Sequence, residues 1–127
     1  MEFREKQAIY LQIAEYMCEQ ILLKKWKPGS RITSIRDLAV LMEVTPNTVQ
    51  RTYDFLQHKQ IISNKRGIGY FVEEEGVERV VAFRREQFLE NELPLMFRNM
   101  YLLGISAEEV SRRFEEFTDE TFKEEQI

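Results

Sequence analysis

Between Ser34 and Leu56 two short helical stretches meet at a tight turn, and this pattern limits what the chain can become more than any other. Ser34 stands three residues before Asp37, the spacing of a capping box with Asp in place of the usual Glu, and opens the first stretch. Leu38, Leu41 and Met42 supply its expected buried face. Glu43-Val44 makes the turn. Thr45 is an N-cap residue type, and Pro46 suits the first helical position, where no amide hydrogen is needed. The second stretch runs to about Lys59. Val49, Tyr53 and Leu56 share its core face, and Asn47, Gln50, Arg51 and Asp54 share the opposite, solvent- or groove-facing side. A helix that fronts short donors and acceptors after a tight turn is the construction of a helix-turn-helix DNA reader. A helix pair alone is a weak signal, because many cores contain one, so the flanking segments must agree with it.

They do. Residues 7–24 repeat apolar positions every three or four residues, which predicts a helix with Ile9, Ile13, Met17 and Ile21 on one face. Pro28-Gly29 ends that section, and Arg31-Ile32-Thr33 reads as a short β-prone bridge. Further on, Ile61-Ile62-Ser63 and Tyr70-Phe71-Val72 flank Asn64-Lys65-Arg66-Gly67-Ile68-Gly69, a hairpin with glycines for positive φ and a basic tip. Three helices and a hairpin make a winged helix-turn-helix. The expected fold is mainly α with a small β-hairpin wing, followed by a C-terminal helical dimerisation region.

That region is expected to begin just after Glu73, giving a DNA-binding domain over 1–73 and a helical dimerisation region over 74–127. Glu73-Glu74-Glu75-Gly76 reads as an acidic hinge. Val77 to Leu103 is helical and amphipathic, with Pro94 expected to kink or break it after Leu93 and Gly104 expected to stop it. Ser106-Ala107-Glu108-Glu109 caps a last helix carrying Val110, Phe114 and Phe117, and the acidic tail from Thr118 is expected to fray. Leu89, Leu93, Met96, Met100 and Leu103 form one apolar stripe; Val81, Phe88, Leu95 and Leu102 form another. Two stripes are more apolar surface than one helix should show to water. With Phe114 they are the expected dimer interface. The competing reading has the tail fold back on its own winged domain. Burial of roughly ten large side chains at about 1.5–3 kcal/mol each favours a second copy, because two helices cannot bury two stripes between themselves.

The net charge of −4 seems wrong for a DNA binder until the chain is divided. Residues 1–72 hold 11 Lys/Arg against 7 Asp/Glu, and residues 73–127 hold 7 against 15, so a half of +4 precedes a half of −8. The basic half suits a polyanion, and the acidic half must do something else. No apolar run approaches the roughly 20 residues of a membrane span. The start, Glu2-Phe3-Arg4-Glu5-Lys6, mixes charges and has no apolar secretory region after it. The single Cys18 makes no internal disulfide and reads as a buried thiol in a reducing cytosol, so the expected location is cytoplasmic. With one His and one Cys no transition-metal cluster is expected. Gly67-Ile68-Gly69 lies in a hairpin and not between strand and helix, so it is no phosphate loop. His58 is not poised as a base for any nucleophile. No cofactor and no enzymatic activity are expected, and no polar cluster marks an effector pocket.

Tyr10-Leu11-Gln12-Ile13-Ala14, Trp26-Lys27-Pro28-Gly29-Ser30-Arg31-Ile32, Ser34-Ile35-Arg36-Asp37-Leu38-Ala39, Val44-Thr45-Pro46-Asn47-Thr48-Val49 and Gly67-Ile68-Gly69-Tyr70-Phe71-Val72 closely resemble the DNA-binding domain of the GntR family of bacterial regulators. The resemblance covers residues 7–72. Glu92-Leu93-Pro94 and Leu103-Gly104-Ile105-Ser106 resemble the short dimerising tail of the YtrA subfamily. The resemblance implies that Arg36 touches DNA and that Thr45, Asn47 and Thr48 reach phosphates or base edges from the front of the recognition helix. Gln50 and Arg51 lie one turn on, where Gln suits adenine and Arg suits guanine, the alternative for either being contact with backbone phosphates only. Lys65, Arg66 and Gly67 should enter or straddle the minor groove, and Ser34 and Gly69 complete the expected DNA-facing set. Pro46 and Gln50 stand where many family members carry arginine, which should shift sequence preference. Glu43 stands where glycine is usual, and a left-handed backbone there costs roughly 1–2 kcal/mol. Thr33 replaces a usual proline.

The expected function is therefore a sequence-specific transcription regulator: a homodimeric repressor on a palindromic operator of double-stranded DNA. The resemblance adds that the genes controlled often encode a transporter. The alternative is a protein-interaction module built on a winged-helix scaffold.

Overall fold

The computed structural model describes residue 3 and residues 7–122; the rest of the mixed-charge N-terminus and the last residues of the acidic tail lie outside the described residues. Helix α1 spans Ile9–Leu22 and buries Ile13, Ala14, Met17, Cys18 and Ile21. Ile9, expected on that face, is 43% exposed, because the first turn of α1 stands beside an open cleft and not over the core. Helix α2 spans Ile35–Met42, and the Ser34 hydroxyl accepts the Asp37 amide at 3.1 Å, as the capping box predicts. Its buried face is Leu38, Ala39 and Met42. Leu41 is 70% exposed. At 3.6 residues per turn it lies roughly 100° round the helix from the middle of that face, so small Ala39 fills the place assigned to it.

The turn after α2 is made by Glu43 in the left-handed conformation, φ 57° and ψ 45°. Helix α3, Pro46–His58, begins with Pro46 in its first turn and buries Val49, Thr52, Tyr53 and Leu56. The Tyr53 hydroxyl donates to the Thr33 carbonyl, and its ring meets Tyr70 edge-on at 4.8 Å. One side chain thereby ties α3 to the loop before α2 and to the wing. Strands β1 (Ile62–Lys65) and β2 (Gly69–Val72) pair antiparallel, Ile62 opposite Val72 and Lys65 opposite Gly69. The expected bridge also forms. Arg31 pairs with Phe71, the Ile32 amide donates to the Tyr70 carbonyl at 2.9 Å, and the Val72 amide donates to the Ser30 carbonyl at 2.9 Å.

The acidic run after β2 is anchored rather than hinge-like. The Glu73 amide donates to the Ile61 carbonyl at 3.0 Å, and Arg79 bonds both the Gln60 carbonyl at 2.7 Å and Glu75 at 2.8 Å. Gly76 is buried where a Cβ would come within 2.9 Å of Val72 Cγ1, so only glycine lets the chain turn this tightly. Helix α4, Gly76–Gln87, then returns Val80 to the main core, fully buried. The compact unit consequently runs Met1–Arg85, past the boundary expected at 73/74, and a second unit comprises Glu86–Ile127.

In the second unit a π-helical stretch, Phe88–Glu92, leads into α5, Leu93–Leu103. Pro94 lacks an amide hydrogen and its ring crowds the carbonyl four residues back; the widened turn accommodates both, so the irregularity falls at Phe88–Glu92, before Leu93, and the helix continues through Pro94 instead of breaking after Leu93 as expected. Gly104 stops α5 at φ 67°. Helix α6, Ala107–Phe122, is capped by Ser106, whose hydroxyl accepts the Glu109 amide at 3.1 Å. It continues past Thr118, where fraying was expected; the rings of Phe117 and Phe122 meet at 5.9 Å there. Neither α5 nor α6 buries a single described residue.

Candidate nucleic-acid interface

Core packing of Val49, Tyr53 and Leu56 on one side of α3 turns the other side outward. Asn47, Gln50, Arg51 and Asp54 are exposed there, as the periodicity predicts. At the front of the helix Thr45 occupies the N-cap position, yet its side chain makes no capping bond to the backbone. Its hydroxyl lies 3.0 Å from that of Thr48 instead. Two linked hydroxyls at a helix start form a small donor–acceptor patch of the kind that meets a phosphate. Ser34 is largely engaged in capping α2, whereas Arg36, in the first turn of that helix, is exposed and unpaired with any described carboxylate.

Two readers on α3 already have protein partners. Gln50 Nε2 donates to Asp54 Oδ1 at 2.9 Å, which fixes the amide and leaves its carbonyl oxygen and one N–H outward. The Arg51 guanidinium sits over the Tyr10 ring, 4.0 Å from its centroid. Neither Asp54 nor Tyr10 belongs to the set read from the sequence. Asp54 was legible as the i+4 neighbour of Gln50; Tyr10 lies 41 positions away in the chain, and no local pattern reveals the meeting.

The wing supplies the remaining positive charge. Lys65 is exposed and lies over the Phe71 ring at 4.3 Å, and Arg66 and Gly67 are exposed at the tip. Gly67 has φ 78° with open space around it, a turn requirement rather than a packing one. Gly69 differs. A Cβ on it would come within 2.9 Å of Arg31 Nε, so the missing side chain lets Arg31 lie along the hairpin as a third wing cation. Sequence reasoning missed Arg31 for the same reason it missed Tyr10. Ile68, also at the tip, is 57% exposed and was not expected to matter. Among the described residues no group of three or more His, Cys, Asp or Glu side chains could hold a metal ion.

A helix pair with an outward polar face, beside a two-stranded wing with basic side chains, defines a winged helix-turn-helix regulator that binds DNA. Residues 9–72 match the family described as bacterial regulatory proteins, gntR family. The chain belongs to that family. It is 29% identical over 115 residues to the HTH-type transcriptional repressor YtrA of Bacillus subtilis, a match covering 91% of this chain and 88% of YtrA. A GntR-family chain from Bacteroides thetaiotaomicron shares 44% identity with a TM-score of 0.72, over 87% of this chain and 96% of that one. A GntR family transcriptional regulator from Listeria monocytogenes shares 30% identity with a TM-score of 0.75, over 90% and 98%. The similarity therefore spans the C-terminal helices as well as the winged domain, and the relatives are transcription regulators rather than enzymes. No described helix is long and apolar enough to cross a membrane.

Proposed function

We propose that the chain is a repressor that acts in the cytoplasm as a homodimer on a palindromic operator, with Ser34, Arg36, Thr45, Asn47, Thr48, Gln50, Arg51, Lys65, Arg66, Gly67 and Gly69 facing DNA. The observation that carries the dimer is the apolar surface of the second unit. Leu95, Leu102 and Leu103 are 63%, 63% and 72% exposed, and Phe88, Leu89, Met96 and Phe114 are exposed too; Val81, also expected at the interface, is exposed on α4 in the first unit. Only Leu93 and Met100 of the expected interface are half-buried. Phe97 and Tyr101 add to the same helix and were not foreseen. Water does not tolerate so continuous an apolar face on a monomer. A two-fold axis covers it with an identical face, and paired readers then suit half-sites about one helical turn (~34 Å) or a multiple apart. The likeness to the YtrA repressor supports the direction of regulation, and the resemblance adds an operon encoding a transporter.

Gel shifts against the DNA upstream of the chain's own gene, at two salt concentrations, test the reading. The expected outcome is a complex that weakens steeply with salt. No shifted band at low salt would overturn the proposal. Leu95→Glu with Leu102→Glu in the full chain should give a monomer by sedimentation and weaken the shift; a dimer that survives both charges refutes this interface.

A further inference from the structure

The first turns of α1 and α3 border one open cleft of about 370 Å³, lined by Ala8, Ile9, Tyr10, Asn47, Thr48 and Arg51. Three expected DNA-facing residues of α3 therefore share a rim with the start of α1. The Tyr10 ring holds the Arg51 guanidinium at 4.0 Å on one side and meets Phe55 edge-on at 6.2 Å on another. Its backbone is pinned as well: fully buried Thr52 donates its hydroxyl to the Tyr10 carbonyl at 2.7 Å. Arg51, Thr52 and Phe55 of α3 thus grip one residue of α1.

We infer that Tyr10 is a positioning residue for sequence readout, holding Arg51 ready to meet a guanine edge. A free arginine on a helix surface samples many rotamers, and ordering it on DNA costs entropy. The ring attracts the guanidinium, 4.0 Å away, through its quadrupole. Contact with a ring uses none of the guanidinium's five N–H donors, and those donors are what pair with guanine O6 and N7. No described residue accepts a hydrogen bond from Arg51, so its donors remain available to DNA. The inference rests on the proposed base-reading role of Arg51, and the experiment separates the two.

Bound sequences are selected from randomised double-stranded DNA with the full-length dimer, for the unsubstituted protein and for Tyr10→Phe, Tyr10→Leu and Arg51→Ala. Tyr10→Phe keeps the ring and should keep the preference. Tyr10→Leu should lose about two- to fivefold of the preference, the size of an exposed cation–π contact, at the same base pairs that Arg51→Ala flattens. In parallel, the Arg51 Nε–H NMR signal should be ring-current shifted in the unsubstituted and Phe proteins and revert in the Leu protein. Unchanged or sharpened preference in Tyr10→Leu, with Arg51→Ala flattened, overturns the positioning role and leaves Arg51 a reader. Unchanged preference in Arg51→Ala removes the reader and the positioning role together. An unshifted Arg51 signal in the unsubstituted protein overturns the pairing even if the Leu protein fails to fold.

Discussion

Glu43 and Cys18 show how single residues record their surroundings. Glu43 holds φ 57° at the end of α2 without being glycine. A left-handed L-residue costs roughly 1–2 kcal/mol, and the extra chain entropy of glycine in the unfolded state cancels about 0.4–1 of that. The net is about 0–1.6 kcal/mol, so Glu43→Gly should raise the midpoint of thermal unfolding, by up to roughly 10 °C for a domain this size; a calorimetric scan checks it. Cys18 is fully buried, and burial pushes its thiol from 9.0 up to about 11. The folded state thus holds the proton more tightly than the unfolded one. Stability from this group is complete below about pH 9 and falls as the pH rises through 11. Tyr53 acts in the same direction, its phenol pushed up first by burial and then by Tyr70. Denaturant midpoints measured between pH 8 and 11 should decline. At pH 8 iodoacetamide should label Cys18 only once denaturant is present, because the thiolate is the nucleophile.

At the scale of elements, the recognition helix and the wing divide the work. On the proposed reading Lys65 meets phosphate from the wing, so Lys65→Ala should weaken all sequences alike and reduce the slope of log affinity against log salt by about 0.9. Equal slopes for the two proteins would remove Lys65 from the phosphate contacts. Gly69→Ala should cost more than its size suggests, because the added Cβ displaces Arg31 as well as straining φ 144°. The helix boundaries were legible because caps act locally: Ser34 with Asp37, Pro46, Gly104 and Ser106 all sit where their own hydrogen bonds or backbone angles require. Leu41 was misread because α2 has only eight residues, too few for a period to separate neighbouring faces.

For the whole molecule, moving the boundary to Arg85 keeps the charge division. Met1–Arg85 carries 14 Lys/Arg and 11 Asp/Glu, and the remainder 4 and 11, so a unit of +3 precedes one of −7. The first unit's charge suits a polyanion, and the second unit's charge repels one. The proportions of the chain follow: one unit buries its own apolar residues, and the other leaves them outside.

By itself the sequence determined three helices, the hairpin, the caps that bound them, the groove-facing side of α3 and the apolar excess of the C-terminal helices. Each of those is set by residues within a few positions of one another, through hydrogen bonds and periodic burial. Tertiary structure alone decided that Tyr10 meets Arg51, that Arg31 lies against Gly69 and that Val80 brings α4 into the first core. Those contacts join residues distant along the chain. Their geometry depends on how several packed elements settle together, and no local pattern carries that information.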